Sequence, residues 1–335
     1  MKPEQGAAMA TVEQGFLQTQ LEERRHRLQH ALEAAPSDAA LQNLLQQVDS
    51  ALERMGRGTY GICESCHEPI EKDRLLADPL LCYCLDHLTP GQRRELEQDL
   101  ELAAKVQRGL LPPQDLKWSG WEVHYHYEPA QLVSGDYCDV IRPENGTGEM
   151  FFVVADVSGK GVAASMLMTQ LHAMFRSLAS AGLPLDQIVA LVNRVFCESA
   201  LAGQYATLVC GRASAQGEIE LCNAGHPPAL VARKSGVERI EAGGVPMGMF
   251  CTGNYSFRKT RLEPGELLLL YTDGLSETRA PSQAEYGIER LAHLLAEKKR
   301  NGHELTQACL EDVRRFAGGT KRGDDLTLLA IQRAA

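Results

Sequence analysis

Four short stretches of this chain each set an aspartate beside glycine or another small residue. They are Ser134-Gly135-Asp136-Tyr137, Ala155-Asp156-Val157-Ser158-Gly159, Tyr271-Thr272-Asp273-Gly274 and Gly323-Asp324-Asp325-Leu326-Thr327. A carboxylate is a hard oxygen donor, and a set of them without thiolate or imidazole suits Mg2+ or Mn2+ rather than zinc. Two such ions about 3.5–4 Å apart acidify a water and neutralise phosphoryl oxygens, so converging aspartates would make a two-metal hydrolase. The plainer reading is that Asp and Gly mark turns, as they do in many loops. Four such elements in one chain, each at the edge of a strand-like run, favour the site.

Convergence requires elements that end at the aspartates. Residues 151–155 and 267–271 are apolar runs of strand length that stop just before Asp156 and Asp273, and residues 326–331 form a similar run just after Asp325. Residues 205–213 and 218–222 predict a hairpin across Gln216-Gly217. Helical spacing covers 15–35, 39–55, 92–111, 162–181, 184–200 and about 304–316. Pro36-Ser37-Asp38 separates the first two helices, with Ser37 or Asp38 as the N-cap of the second, and Pro112-Pro113 stops the third. Residues 1–10 read as a mobile tail. Strands and helices mix without a βαβ repeat, which predicts an α+β fold.

The motifs do not stand alone. Leu102-Ala103-Ala104-Lys105-Val106-Gln107 leads to Leu110-Leu111-Pro112, the second aspartate motif continues into Lys160-Gly161, and Cys222-Asn223-Ala224-Gly225-His226-Pro227-Pro228 follows. Over residues 102–331 the chain resembles the SpoIIE/RsbU branch of the PPM-type metal-dependent serine/threonine phosphatases. That resemblance implies two antiparallel sheets sandwiched between helical layers. It implies two Mn2+ or Mg2+ ions, with Asp156 bridging them, the Val157 carbonyl on the first, Asp273 and Asp324 on the second, and Asp136 supporting the first directly or through its waters. The implied substrate is phosphoserine or phosphothreonine on a regulatory protein, typically a small STAS-domain anti-anti-sigma factor of a partner-switching pathway.

Several roles stay open on sequence. Asp139 and Asp325 adjoin the expected ligands, either to orient waters or to accept local backbone hydrogen bonds. Better-known branches of the family carry a histidine where this chain has Ser158, so that general acid does not transfer. His226 is either a substitute acid or part of a strand-to-turn corner. Lys160 either meets phosphate at a helix start or faces solvent. Ser134 and Cys138 replace a usual glycine and aromatic without removing a ligand. No cysteine lies in a recognisable phosphate-cradling loop, which disfavours a cysteine-dependent phosphatase.

A second metal signature lies nearer the N-terminus. Cys63-x-x-Cys66 is followed by Cys84-x-x-His87, two short ligand pairs that suit a closed tetrahedral zinc site. His67 and Cys82 are spare candidates that complete no pair of that spacing. Residues 41–88, with Gly58-Thr59-Tyr60-Gly61-Ile62-Cys63 and Arg74-Leu75-Leu76-Ala77, resemble the DksA/TraR-type zinc finger, with His87 where the family usually has its last cysteine. Family members that bind RNA polymerase carry acidic residues at the tip of a helical hairpin. This tip offers only Asp38. A non-enzymatic transcription regulator that binds polymerase through the finger is the competing reading, and hydrolysis of a small phosphorylated metabolite is a third.

The chain has 335 residues and a formal net charge of −10, which argues against a general nucleic-acid binder. No apolar run approaches a membrane span, and no secretory signal is visible, so no membrane partner is expected. Four of the ten cysteines fall between Cys63 and Cys84. Metal binding there, and reduced thiols for the scattered remainder, fit a cytoplasmic protein. The expected domains are a helical hairpin at 1–57, a zinc finger at 58–90, a helical linker at 91–113 and a phosphatase domain at 114–335. Leu96, Leu100, Ala103, Val106 and Leu110 make an apolar stripe on the linker helix, which packs either on its own domain or against a second subunit. The N-terminal module is then a place for an upstream regulator.

Overall fold

The computed structural model describes residues 11–36, 38–87, 90–143, 148–200, 203–296, 301–320 and 322–334. The expected tail at 1–10 and Ser37 lie outside these. The chain divides into two compact units, Met1–Asp99 and Leu100–Ala335.

In the first unit, α1 (Thr11–Ala34) and α2 (Ala39–Gly56) pair as a hairpin. Asp38 caps α2, its carboxylate accepting from the N–H groups of Ala40 and Leu41 at 2.9 and 3.2 Å, which satisfies donors that a helix start leaves unpaired. Leu17 and Leu21 meet Val48, Ala51 and Met55, and the same core continues through Tyr60, Cys63, Ile70, Leu75 and Cys84. Hairpin and finger therefore share one core, to which α3 (Lys72–Ala77) contributes Leu75. The helix α4 (Pro90–Arg108) runs across the division between the units.

The second unit is a sandwich of two antiparallel sheets. Strands β1 (Leu116–Trp118), β2 (Trp121–Glu128), β7 (Ala229–Arg233), β8 (Gly236–Ile240), β10 (Leu267–Tyr271) and β11 (Leu326–Arg333) form one, in the order β1-β2-β11-β10-β7-β8. Strands β3 (Asp136–Ile141), β4 (Met150–Val157), β5 (Ala206–Ala213), β6 (Glu218–Ala224) and β9 (Phe257–Arg261) form the other, in that order. Between them lies a core with Phe152, Val154, Val209, Leu268 and Ile331. The outer face of the five-stranded sheet is covered by α5 (Gly161–Ala179) and α6 (Leu185–Ser199), through Leu171, Phe175, Val192 and Phe196. The outer face of the six-stranded sheet is covered by α8 (Ile288–Ala296) and α9 (Gly302–Ala317), through Leu291, Leu305 and Leu310. Strands buried on both faces read as continuous apolar runs rather than alternating ones. This is why 151–155 and 267–271 are legible as strands and ambiguous in facing.

One alternative is narrowed and one expectation is corrected. Of the linker stripe, Leu96, Ala103 and Val106 are exposed rather than packed on their own domain, and α4 buries Ala104 and Gln107. The buried contact made by Gln107 is polar, so apolar periodicity could not find it. The scattered cysteines are not all reduced: Cys197 on α6 and Cys251 are disulfide-bonded. A sequence separation of 54 residues carries no sign that the two meet in space. Cys138, Cys210, Cys222 and Cys309 remain buried thiols.

Candidate functional site

Each strand that bears an aspartate delivers it to the same end of the sandwich. Asp136 opens β3 and Asp156 sits near the end of β4, directly opposite it in the antiparallel register. Asp273 follows β10 at the start of the short helix α7 (Asp273–Ser276), and Asp324 and Asp325 precede β11, the partner of β10. Gly274 is required by close approach, since a Cβ there would lie 1.8 Å from the Asp325 carbonyl oxygen. At Gly135 a Cβ would lie 3.0 Å from the Val157 carbonyl oxygen. Both glycines thus bring aspartate-bearing segments together, which simple turn chemistry does not explain.

The electrostatics show that the carboxylates crowd one another. Burial pushes Asp156 up to about 8, with Asp273, Asp324 and Asp325 adding to the rise and Lys160 opposing it. Burial and then Asp324 raise Asp273, and burial and then Asp156 raise Asp136 well above the carboxylate range. No three of these carboxylates have ligand atoms all within 4.8 Å of one another among the described residues. An oxygen-only, mutually repelling set, buried at Asp136 and partly open to solvent at Asp156, Asp273 and Asp324, fits hard divalent cations.

Hydroxyls hold Asp136. Thr272 and Thr327 donate to its Oδ2 at 2.9 and 2.5 Å, and the Thr327 N–H donates to Thr272 Oγ1 at 3.0 Å. Asp325 acts on the preceding loop, accepting from the N–H groups of Ala130 at 2.7 Å and Gly135 at 2.9 Å. From the other side, Gln107 of α4 donates to the Ser134 carbonyl at 2.7 Å and accepts from the Ser134 N–H at 3.0 Å. Sequence reasoning missed Gln107, Thr272 and Thr327. All three stood inside the quoted motifs, but only Thr272 and Thr327 lie near an aspartate in the chain, and nothing local marks Gln107.

Asp139 is not part of this set. Strand alternation turns it to the helical face of the sheet, where Arg176 of α5 holds both its oxygens at 2.7 Å and Tyr137 Oη donates at 3.1 Å. His226 resolves to the corner reading. It is buried, its N–H donates to Asn223 Oδ1 at 2.9 Å, and burial holds its imidazole down at about 3. Such a ring carries no imidazolium proton at neutral pH. Ser158 ties the second aspartate motif to the start of β5 by exchanging hydrogen bonds with the Tyr205 backbone at 2.9 Å.

Lys160 reaches the aspartates while half of its side chain stays in solvent. Its Nζ donates to the Gly323 carbonyl at 2.6 Å and to Asp324 Oδ2 at 2.8 Å, and the Asp324 hydrogen bond raises its own pKa. Beside it opens a cavity of about 630 Å3, lined by Asp273, Asp324, Arg279, Arg314 and Arg322 among others. Arg322 and Arg314 pair with Glu128 at 2.6 and 3.4 Å. Burial would raise Glu128, but hydrogen bonds from His126 and Arg322 hold it down at about 2.

In the finger, Cys63, Cys66, Cys84 and His87 bring four ligand atoms within 4.8 Å of one another, a spacing one ion can span. His67 adopts a left-handed φ of 60° and its N–H donates to the Cys63 carbonyl at 2.9 Å, which closes the first knuckle. Burial pushes the Cys63 thiol up, but N–H groups of Cys84, Cys66 and Ser65 bring it down to about 6, toward the thiolate that a zinc ion needs. Neither His67 nor Cys82 joins the group.

The profile of the Stage II sporulation protein E (SpoIIE) family matches residues 146–334. The chain belongs to the SpoIIE family. Its SpoIIE-type domain is of the PP2C phosphatase fold, and residues 58–86 match the prokaryotic dksA/traR C4-type zinc finger, with His87 just beyond the match. The phosphoserine phosphatase RsbU of Bacillus subtilis is 26% identical over 192 residues, 56% of this chain and 56% of that protein. The structure of the RsbU and RsbW domains of Rv1364c from Mycobacterium tuberculosis superposes with a TM-score of 0.56 at 30% identity, covering 67% of this chain and 63% of the other. The SiaA-PP2C domain of Pseudomonas aeruginosa shares the fold, with a TM-score of 0.63 at 18% identity over 72% of this chain and 98% of that one. The SpoIIE-type chain spans about half the length of the curated relatives it matches. Among its described residues, no helix is long and apolar enough to cross a membrane.

Proposed function

We propose that this chain is a Mn2+- or Mg2+-dependent protein phosphatase that hydrolyses phosphoserine or phosphothreonine on a regulatory protein of the STAS-domain type. The observation that carries this reading is the meeting of Asp136, Asp156, Asp273 and Asp324 at one end of the sandwich, with Asp156 pushed up to about 8. Asp156, the Val157 carbonyl, Asp273 and Asp324 would hold two ions, and Asp136 would support the first. When bound, the ions supply an activated water near neutral pH and positive charge for the phosphoryl oxygens. Thr272 and Thr327 fix the Asp136 carboxylate, Asp325 fixes the loop before it, and Lys160 places a cation beside Asp324 where substrate phosphate arrives. The arginine-lined cavity beside Asp273 and Asp324 gives the chain around the phosphoresidue a polar surface.

The finger holds one structural Zn2+ on Cys63, Cys66, Cys84 and His87, and serves an upstream regulator in the cytoplasm. Its hairpin tip disfavours the polymerase reading, since the carboxylate of Asp38 is engaged in capping α2. We divide the chain at 57, 90 and 113 into hairpin, finger, linker and phosphatase domain. The exposed Leu96, Leu102 and Val106 of α4 fit pairing with a second copy, no nucleic acid is required, and Gln107 links that helix to the loop before Asp136.

Phosphate release from a small phosphoester tests the reading. Release should need Mn2+ or Mg2+, stop with EDTA, and vanish in Asp156→Asn and Asp273→Asn. A folded phosphoprotein should be a much better substrate than the free ester. Release that survives EDTA, or persists in both variants, would sink the two-metal mechanism.

A further inference from the structure

Away from the aspartates, three metal-ligating side chains from separate elements meet beside β1 and β2, at one edge of the six-stranded sheet. Asp115 precedes β1, His124 lies on β2 and His303 is in the first turn of α9, and their ligand atoms are all within 4.8 Å of one another. Asp115 Oδ1 lies 2.7 Å from His124 Nδ1 and 3.9 Å from His303 Nδ1. The two rings meet edge to face, with centroids 5.5 Å apart. We propose that Asp115, His124 and His303 bind one divalent transition ion of the Zn2+ class, at a site separate from both the aspartates and the finger.

The donor chemistry selects the ion. Two imidazole nitrogens and one carboxylate oxygen form the three-ligand set of open zinc sites, and the fourth position falls to water. Imidazole suits Zn2+, Co2+, Ni2+ and Cu2+, whereas Mg2+ and Mn2+ belong with the all-oxygen aspartate set. The exposed side chains of Asp115 and His303, 62% and 58% accessible, leave that fourth position open to solvent.

Each ligand is also held by something other than the ion. Asp115 adopts a left-handed φ of 54°, which aspartate tolerates better than most residues. His124 is fixed in register opposite Ala330 of β11, and its ring lies against Gly302, where a Cβ would come within 3.0 Å of His124 Cδ2. The Gly302 N–H donates to Gln332 Oε1 at 2.9 Å, which pins the start of α9 to β11 and so sets the position of His303. A bound ion would close the same junction, tying α9 to the β1–β2 edge. The other end of α9 carries Val313 and Arg314 of the cavity beside Asp324, so the clip would steady one wall of that cavity.

The test uses the full chain with zinc left in the finger and excess Mg2+ over the aspartates. Co2+ is titrated into the native protein, His303→Ala and Asp115→Asn, followed by absorption. His303→Ala removes an exposed ring, and asparagine keeps the left-handed conformation at 115. Equal melting temperatures before any Co2+ is added would show that the variants fold. The native protein should develop ligand-field bands of nitrogen- and oxygen-ligated Co2+ without a thiolate charge-transfer band. Zn2+ should displace these bands, and both variants should weaken them by at least about tenfold in affinity. Zn2+ should raise the melting temperature of the native chain more than that of either variant. Superimposable titrations and equal thermal responses across the three proteins would overturn the proposal.

Discussion

Thr327 Oγ1 donates to Asp136 Oδ2 at 2.5 Å, a hydrogen bond between the strand pair of one sheet and the first strand of the other. Thr272 repeats it at 2.9 Å. The buried Asp136 carboxylate is thus aimed by two hydroxyls from the segments that also carry Asp273 and Asp324. Thr327→Val keeps the shape and removes the donor. Loss of such an orienting partner should lower activity or metal affinity about 10–100-fold. Mn2+-dependence curves of phosphate release should shift to higher metal concentration for this variant, and an unshifted curve would show that Thr327 only packs.

Repulsion among the aspartates sets a pH dependence with a definite sign. In the metal-free protein Asp156 titrates at about 8, against an ordinary value of 3.8. Between those values the folded state keeps a proton that the unfolded chain has lost. Stability therefore falls as pH rises through that window, and the loss is complete above the folded value. Melting temperature in EDTA should decline from pH 5 to pH 8. Excess Mg2+ or Asp156→Asn should each flatten that decline. An equally steep decline in Asp156→Asn would place the titration elsewhere.

Asp139 should matter for folding and not for chemistry. Its carboxylate is fully buried while the Arg176 side chain is 41% exposed. Removing Arg176 strands a buried charge, which for a fully buried pair costs about 3–5 kcal/mol. Partial exposure places Arg176→Met near the low end, about 3 kcal/mol. Urea denaturation should show that loss, with activity per folded molecule unchanged. A drop in activity without a drop in stability would return Asp139 to the active site.

Gln107 offers a direct reading of α4. Its amide is the polar link between that helix and Ser134, two residues before Asp136. Gln107→Ala should lower kcat by about tenfold or more through misplacement of the loop, with KM for a small phosphoester little changed. Equal kcat would mean that α4 does not reach the site through this contact.

Part of this protein is legible in its residues alone. The continuous apolar runs at 151–155 and 267–271 mark strands because both faces of each sheet are covered. The four aspartates, the Cys63, Cys66, Cys84 and His87 set and the cap at Asp38 are short-range patterns, in which residue type and spacing carry the chemistry. What the sequence could not decide depends on which distant segments meet. Asp139 and Asp325 look alike beside a motif. Strand alternation sends one to Arg176 on the helical face, and the loop before β11 sends the other to the N–H groups of Ala130 and Gly135. His226 is indistinguishable from a catalytic histidine until burial is known. The Cys197–Cys251 bond and the Asp115–His124–His303 cluster join residues that share no local pattern. Local chemistry is written in nearest neighbours along the chain, whereas facing, burial and long-range pairing arise only when the two sheets close on each other.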